Sequence, residues 1–328
     1  MEINMRSQIG KNIRALRARR LVSQEDLAEA TGVTAQAVSK WETGAANPDL
    51  MLLPKLAEYF DVTIDSLFHI RESDNMLPED SASVLRQHAD WWASIEETDL
   101  TTVALPRYGF FTPTEDTLCL LGDMRGKNVL EIACGSGDSL VWMGKKGARE
   151  LWGLDISSAQ IKRADAALKK NGMKANLFVA PMELNPGLPH GHFDLVFSIY
   201  GLGWSMDLEK TVCHIAQYLR PGGKLVFSWD NPLMQCVKSE NGKYSFCRSY
   251  LEEEQIPISK HNDIFHLNNW KLSTYLNCLA RHGFLVEQLV EESEYDEKEA
   301  AVFEEGRLYS AGRARFFNPA FIVKARRI

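Results

Sequence analysis

Two groups of residues in this 328-residue sequence have types and spacing suited to recognition chemistry. In the first, Gln36, Ser39 and Lys40 recur at i, i+3 and i+4, so on a helix they share one outward face. Val38 and Trp41 fall on the opposite, apolar side. In the second group, the acid Glu131 precedes the small residues Ala133, Gly135 and Gly137, and Asp155 closes the next apolar run. Small residues let a backbone come close to a ligand. A carboxylate ending a second strand can accept hydrogen bonds from both hydroxyls of a ribose. A lone glycine-rich turn is weak evidence, because several nucleotide-binding folds use the same device.

Candidates for proton transfer are more scattered: His88, Tyr200, His214, Asp230 and His266. A single histidine is more often a satisfied structural residue than a base, and spacing favours none of the five. The six cysteines form no CxxC pair, so neither a zinc site nor a disulfide framework is expected. No metal is expected.

The elements that must position these groups fall into two stretches. Over residues 1–68, Ile9, Ile13 and Leu16 form an apolar stripe, and Ser23, three residues before Asp26, starts a helix over Gln24–Ala30. Gly32 interrupts, Thr34 opens a helix over Ala35–Glu42, and Lys55–Phe60 and Ile64–Phe68 supply the last apolar turns. The polar stretch 69–84 reads as a linker. From 85 to 328 strand-like and helical segments alternate, with apolar runs at Asn128–Ile132, Leu151–Leu154, Asn176–Val179, Phe193–Ser198, Lys224–Trp229, Phe284–Leu289 and Phe317–Val323. The expected fold is an all-α domain followed by an α/β domain with a mostly parallel central sheet.

Composition agrees with two globular domains: 45% hydrophobic and 25% charged residues exclude a disordered or fibrous chain. There is no membrane-length apolar run and no signal-peptide pattern at the N-terminus, so a cytoplasmic protein is expected. The net charge of −7 argues against a nucleic-acid partner only on average. Six basic side chains against one acid crowd residues 1–20, and most of the acidity lies beyond residue 68.

The string SQEDLA, the glycine at the turn, V-x-K-W-E and the NPD after it resemble a Cro/lambda-repressor-like helix-turn-helix of the XRE type over residues 5–68. The resemblance implies double-stranded operator DNA as partner. Gln36 would meet a base edge, Thr34, Ser39 and Lys40 would lie near bases or phosphates, and Gln24 would clamp a phosphate. Arg14 and Arg17 could add backbone contacts, and a homodimer on a two-fold operator is the expected form.

VLEIACGSGDS, LWGLD, FDLVFSIYGLGW and LRPGGKLVFSW together resemble the motifs of class I S-adenosylmethionine-dependent methyltransferases over roughly residues 105–235. The resemblance implies a Rossmann-like fold with S-adenosylmethionine as cofactor and S-adenosylhomocysteine as product. The expected cofactor residues are Tyr108, Glu131, Ala133, Gly135, Gly137, Asp155, Ile156, Pro181, Met182 and Ser198. Where many relatives carry an acid for the adenine amino group this chain has Ala180, leaving backbone around Pro181 and Met182, or Glu183 nearby. Phe110, Phe111, Tyr200 and Trp204 are the expected walls of an acceptor pocket, and Trp91, Trp92 and Trp229 fit core packing better.

Asp230-Asn231-Pro232 invites comparison with the [DNS]PP[YFW] motif of nucleic-acid amino-methyltransferases, but it follows the wrong strand and lacks the second proline. Residues 233–282 read as an insertion, either a lid over the acceptor or an added packing subdomain. The expected function is a DNA-binding regulator that could control its own operon, fused to a methyltransferase acting on a small molecule at O, N or S. A regulator that senses S-adenosylmethionine without turnover and a nucleic-acid methyltransferase are the alternatives.

Overall fold

The computed structural model describes residues 5–20, 22–60, 64, 67, 79–94, 106–260 and 263–328. They divide into two compact units, residues 1–86 with 184–186, and 87–183 with 187–328.

The first unit holds α1 (Met5–Arg19), α2 (Gln24–Thr31), α3 (Ala35–Glu42) and α4 (Leu53–Phe60). Local chemistry sets its boundaries. Ser23 and Asp26 form a reciprocal capping box at the start of α2, and Gly32 ends that helix in the left-handed conformation. The Thr34 hydroxyl accepts from the Ala37 N–H and starts α3. The stripe of Ile9, Ile13 and Leu16 is buried against Leu27, Val38, Trp41, Leu56 and Phe60. Of the apolar turn expected at 64–68 only residues 64 and 67 lie among the described ones, and Leu67 is buried.

The seating of α1 on α3 depends on Gly10, where a Cβ would lie 1.8 Å from the carbonyl oxygen of Trp41. Backbone cannot yield as a side-chain tip does. Gly10→Ala is therefore expected to destabilise the first unit by about 3 kcal/mol, the upper end for overpacking. Thermal unfolding of the full chain would show it as an earlier transition, and an unshifted transition would refute this helix contact.

Helix α5 (Glu79–Ser94) corrects the expected linker. Residues 69–78 lie outside the described residues, but 79–84 are helical. Leu85 and His88 sit one turn apart and are both buried.

The second unit is built on a seven-stranded sheet: β1 (Asn128–Ile132), β2 (Glu150–Asp155), β3 (Asn176–Val179), β4 (Phe193–Ile199), β5 (Leu219–Asp230), β10 (Phe284–Val290) and β11 (Ala320–Arg327). Their order is β10-β11-β5-β4-β1-β2-β3. The first five run parallel, and β11 lies antiparallel between β5 and β10. Helices α6 (Glu115–Leu118), α7 (Asp138–Lys145), α8 (Ser158–Lys170), α9 (Leu208–Tyr218) and α10 (Leu272–Arg281) accompany the sheet. Leu140, Met143 and Leu168 build the core on one face, and Val212, Ile215, Tyr275 and Leu279 build the other. The middle of the sheet is thus buried on both sides, and all five residues of β1 are buried.

The expected insertion at 233–282 is shorter than its sequence suggests. Its last part is α10, which packs on the sheet's β10. What is added after β5 is two hairpins, β6 (Val237–Glu240) with β7 (Lys243–Phe246), and β8 (Gln255–Lys260) with β9 (Asp263–Asn268). A second long connection joins β10 to β11 and carries α11 (Glu297–Ala300) and α12 (Ala311–Ala314). The antiparallel pairing of β11 on β5 sets Ala320 opposite Asp230, so this connection returns to the sheet at the C-terminal end of β5.

Candidate cofactor and acceptor site

Strand order reverses between β1 and β4, and ligands of open α/β sheets bind at such a point, beyond the C-terminal strand ends. Here that edge carries strained backbone. Ala133 after β1, Tyr200 after β4 and Phe111 all have φ between 53° and 58°, a region non-glycine residues seldom occupy.

Beside Ala133, Gly135 has φ 50° and no atom within 4 Å of where a Cβ would stand, so the loop has open space before it. Gly137 also has a packing role. Its missing Cβ would lie 2.9 Å from the Cβ of Ala164, so this glycine seats α8 against the start of α7. Asp155 holds the loop from the next strand: Oδ2 accepts from the Gly135 N–H at 2.9 Å and Oδ1 from the Ser157 N–H at 2.8 Å. Burial raises the Asp155 pKa, and those two N–H groups, with that of Ile156, oppose the rise. Ser157, rather than Asp155, caps α8. Glu131 is buried beneath the loop with Oε2 unpartnered, and burial pushes its pKa well up. An open acceptor at that depth suits a donor or cationic group of a ligand.

The other expected cofactor residues are mostly buried. Tyr108 is fully buried, and its hydroxyl donates at 2.5 Å to Glu115, which also accepts the N–H groups of Leu120 and Leu121. It braces the chain before β1. The Ser198 side chain is sealed under Gly201, whose Cβ would stand 2.5 Å from its Oγ. Glu183 accepts the Met206 N–H at 2.6 Å and the Ser205 hydroxyl at 3.0 Å, both on Oε1, and its buried Oε2 has no partner. Ala180 ties its N–H to the Asp155 carbonyl at 3.0 Å, with Pro181 buried and Met182 half-buried next to it.

On the β5 side, Asp230 sits at the strand's end, and both its carboxylate oxygens face the Tyr309 hydroxyl, at 2.9 and 2.7 Å. Burial raises its pKa to about 6, against hydrogen bonding from Tyr309 and Tyr200. Phe110 stacks on Tyr309 at 4.3 Å and meets Tyr200 edge-on at 6.4 Å. Tyr200 continues to Trp229, and Trp229 to Trp204, which contacts Trp91, Trp92 and His88. Trp229 is buried in the core as expected, and Trp91 and Trp92 are half-buried against Trp204. Phe110 is 55% exposed and Phe111 half-buried, so only the first faces open space. Tyr309 was absent from the sequence-based candidates.

Two of the three candidate histidines bond backbone carbonyls through their rings. His88 is buried, bonds the His266 carbonyl through Nε2 at 3.1 Å, and burial lowers its pKa. His214 bonds the Glu183 carbonyl at 3.1 Å and stacks on Tyr218 inside the sheet–helix core. The backbone of His266, in β9, is what holds His88. Among the described residues one trio could approach a metal, Glu209, Cys278 and His282. Its carboxylate is already engaged by Arg281 and His282, and burial pushes the Cys278 thiol up to about 12.

In the first unit Gln36 and Lys40 are exposed on α3, Ser39 is half-buried beside them, and Thr34 is exposed at the cap. Val38 and Trp41 are buried on the other side. Arg17 is withdrawn from the surface role expected of it. Its guanidinium spans both Glu42 oxygens, at 2.7 and 3.0 Å, and donates to the Val22 carbonyl at 2.7 Å. Gln24, half-buried, donates one amide N–H to the same carboxylate at 2.7 Å, which leaves its second N–H for another acceptor.

A helix-turn-helix family model matches residues 13–67, and a methyltransferase-domain model matches residues 130–227. An uncharacterized protein of Haemophilus influenzae is 27% identical over 53% of this chain and 73% of its own length. Ubiquinone/menaquinone biosynthesis C-methyltransferase UbiE of Laribacter hongkongensis is 33% identical over 40% of this chain, which spans 54% of that relative's length. The crystal structure of an S-adenosylmethionine-dependent methyltransferase from Mesorhizobium loti superposes with a TM-score of 0.53 at 25% identity, covering 65% of this chain and 96% of that one. No helix of the described residues is long and apolar enough to cross a membrane. The chain therefore joins an XRE-type helix-turn-helix domain to a class I S-adenosylmethionine-dependent methyltransferase domain.

Proposed function

We propose that the second unit transfers a methyl group from S-adenosylmethionine to a hydroxyl of an apolar small molecule, and that the first unit, as a dimer, binds a two-fold operator. The observation that carries the first part is Asp230. It is a buried carboxylate with a pKa raised to about 6, beside a tyrosine hydroxyl at the ligand edge of the sheet. The loop fits the cofactor: Gly135 opens onto free space, Asp155 offers carboxylate oxygens to ribose hydroxyls, and Glu131 has an unpartnered oxygen. When bound, S-adenosylmethionine supplies an electrophilic methyl group on a sulfonium sulfur.

The remaining work is done by the protein. The Phe110, Tyr200 and Trp204 rings exclude water and hold an apolar acceptor. Asp230 takes the hydroxyl proton as oxygen becomes nucleophilic, and Tyr309 fixes the orientation of that carboxylate. The acidic balance beyond residue 68 gives a phosphate backbone nothing to follow, which favours a small acceptor over nucleic acid. The Laribacter relative, named for quinone biosynthesis, lends support to an apolar aromatic acceptor.

Turnover is tested by S-adenosylhomocysteine release from the full chain with a panel of phenols and aliphatic alcohols. Release dependent on an added phenol supports the reading, and none across the panel counts against it. For the first unit, selection from a random duplex pool should return a symmetric site. Gln36→Ala should relax it at one position per half-site, by about 1–3 kcal/mol. Unchanged preference would remove Gln36 from base contact.

A further inference from the structure

Hairpin β6–β7 and the β10–β11 connection border an open pocket of about 580 Å³, within the range of small-molecule sites. Its apolar lining includes Leu233, Val237, Phe246, Val302, Phe316 and Phe317. Phe246 and Phe316 are each 71% exposed and Val302 58%, a costly cluster to leave in water. The floor is rigid. Tyr244 packs on Phe303 and Phe316, and Arg313, almost wholly buried, lies over the Tyr244 ring and donates to the Val237 carbonyl at 2.7 Å. Asn241 and Ser239 pin the hairpin to Glu305 and Gly306.

Two cations, Lys243 and Arg315, also line this pocket, and neither has an ion-pair partner among the described residues. Their neighbours do: Lys238 pairs with Glu240 and Arg307 with Glu304. Unpaired positive charge in an acidic unit, at the rim of an apolar hollow, is complementary to an anion with a hydrocarbon body. We propose that this pocket is a second small-molecule site, distinct from the acceptor site, whose ligand is an apolar organic anion of the medium-chain carboxylate kind.

The test uses the full chain with anilinonaphthalenesulfonate as fluorescent probe, decanoate as competitor and decylamine as its oppositely charged counterpart. Saturable probe binding, displaced by decanoate and not by decylamine, is expected. The Lys243→Gln/Arg315→Gln double variant should weaken decanoate about tenfold, as expected for lost charge pairing. Phe316→Asp and Val302→Asp, both at exposed positions, should abolish probe binding with the circular dichroism spectrum unchanged. Equal binding of decanoate and decylamine, or probe binding untouched by all these variants, would overturn the proposal. So would a dimer in sedimentation that Phe316→Asp dissociates, since the occupant would then be a second copy of this chain.

Discussion

Asp230→Asn is expected to lower kcat about a thousandfold, the middle of the range for a lost general base. Asparagine keeps the size of the side chain and one oxygen to accept from Tyr309, but it cannot take a proton. The wild-type rate should rise with pH through a midpoint near 6, where Asp230 ionises. Tyr309→Phe removes the donor that holds this pKa down, so its profile should shift to higher pH. Stability should move the other way. The folded-state pKa lies above the ordinary value of 3.8, so between the two values the folded chain binds more protons than the unfolded one. Stability therefore falls as pH rises through that window, and ionised Asp230 is a cost at pH 7. Asp230→Asn should leave Tm unchanged or higher. Lost activity together with a lowered Tm would assign Asp230 to structure instead of catalysis.

Asp155→Ala is expected to weaken S-adenosylmethionine binding about a hundredfold, as the loss of one to two hydrogen bonds to a charged group would. Two effects combine. The carboxylate that would receive the ribose hydroxyls disappears, and so does the anchor of the Gly135 and Ser157 N–H groups. With that anchor gone, Ala133 has less to keep it at φ 57°. Asp155→Asn keeps one acceptor oxygen and should fall between the two. Operator binding should be the same in all three proteins. Isothermal titration with the cofactor checks this, and undiminished affinity of Asp155→Ala would remove the ribose assignment.

What the sequence made legible was local. The Ser23 and Thr34 caps, the Gly32 stop and the apolar stripe of α1 depend on residues within a turn or two, and all stand where the pattern places them. The central strands β1 and β4 read well because burial on both faces leaves continuous apolar runs, whereas β3, at the sheet edge, has no buried residue. The last strand, expected from Phe317, begins at Ala320 instead; Pro319 has no N–H to extend the ladder, though its carbonyl still accepts from the Asn231 N–H at 2.8 Å.

Distant pairings were hidden. Arg17 looked like a phosphate contact because nothing marks Glu42, 25 positions away, as its buried partner. Gly10 drew no notice, since its neighbour in space is the backbone of α3. Tyr309 lies 79 positions from Asp230 and reaches it only because β11 runs antiparallel to β5 and begins at the ligand edge. A topology argument could have found it: whatever precedes such a strand must pass over the end of β5.

The most direct measurement is methyl transfer itself. The full chain would be incubated with methyl-labelled S-adenosylmethionine and a small-molecule extract, operator DNA and total RNA in separate reactions. Label and stoichiometric S-adenosylhomocysteine are expected only with the small-molecule fraction, and neither with Asp155→Ala. Cofactor bound but no S-adenosylhomocysteine formed would instead make the second unit a sensor, and label in DNA or RNA would make it a nucleic-acid enzyme.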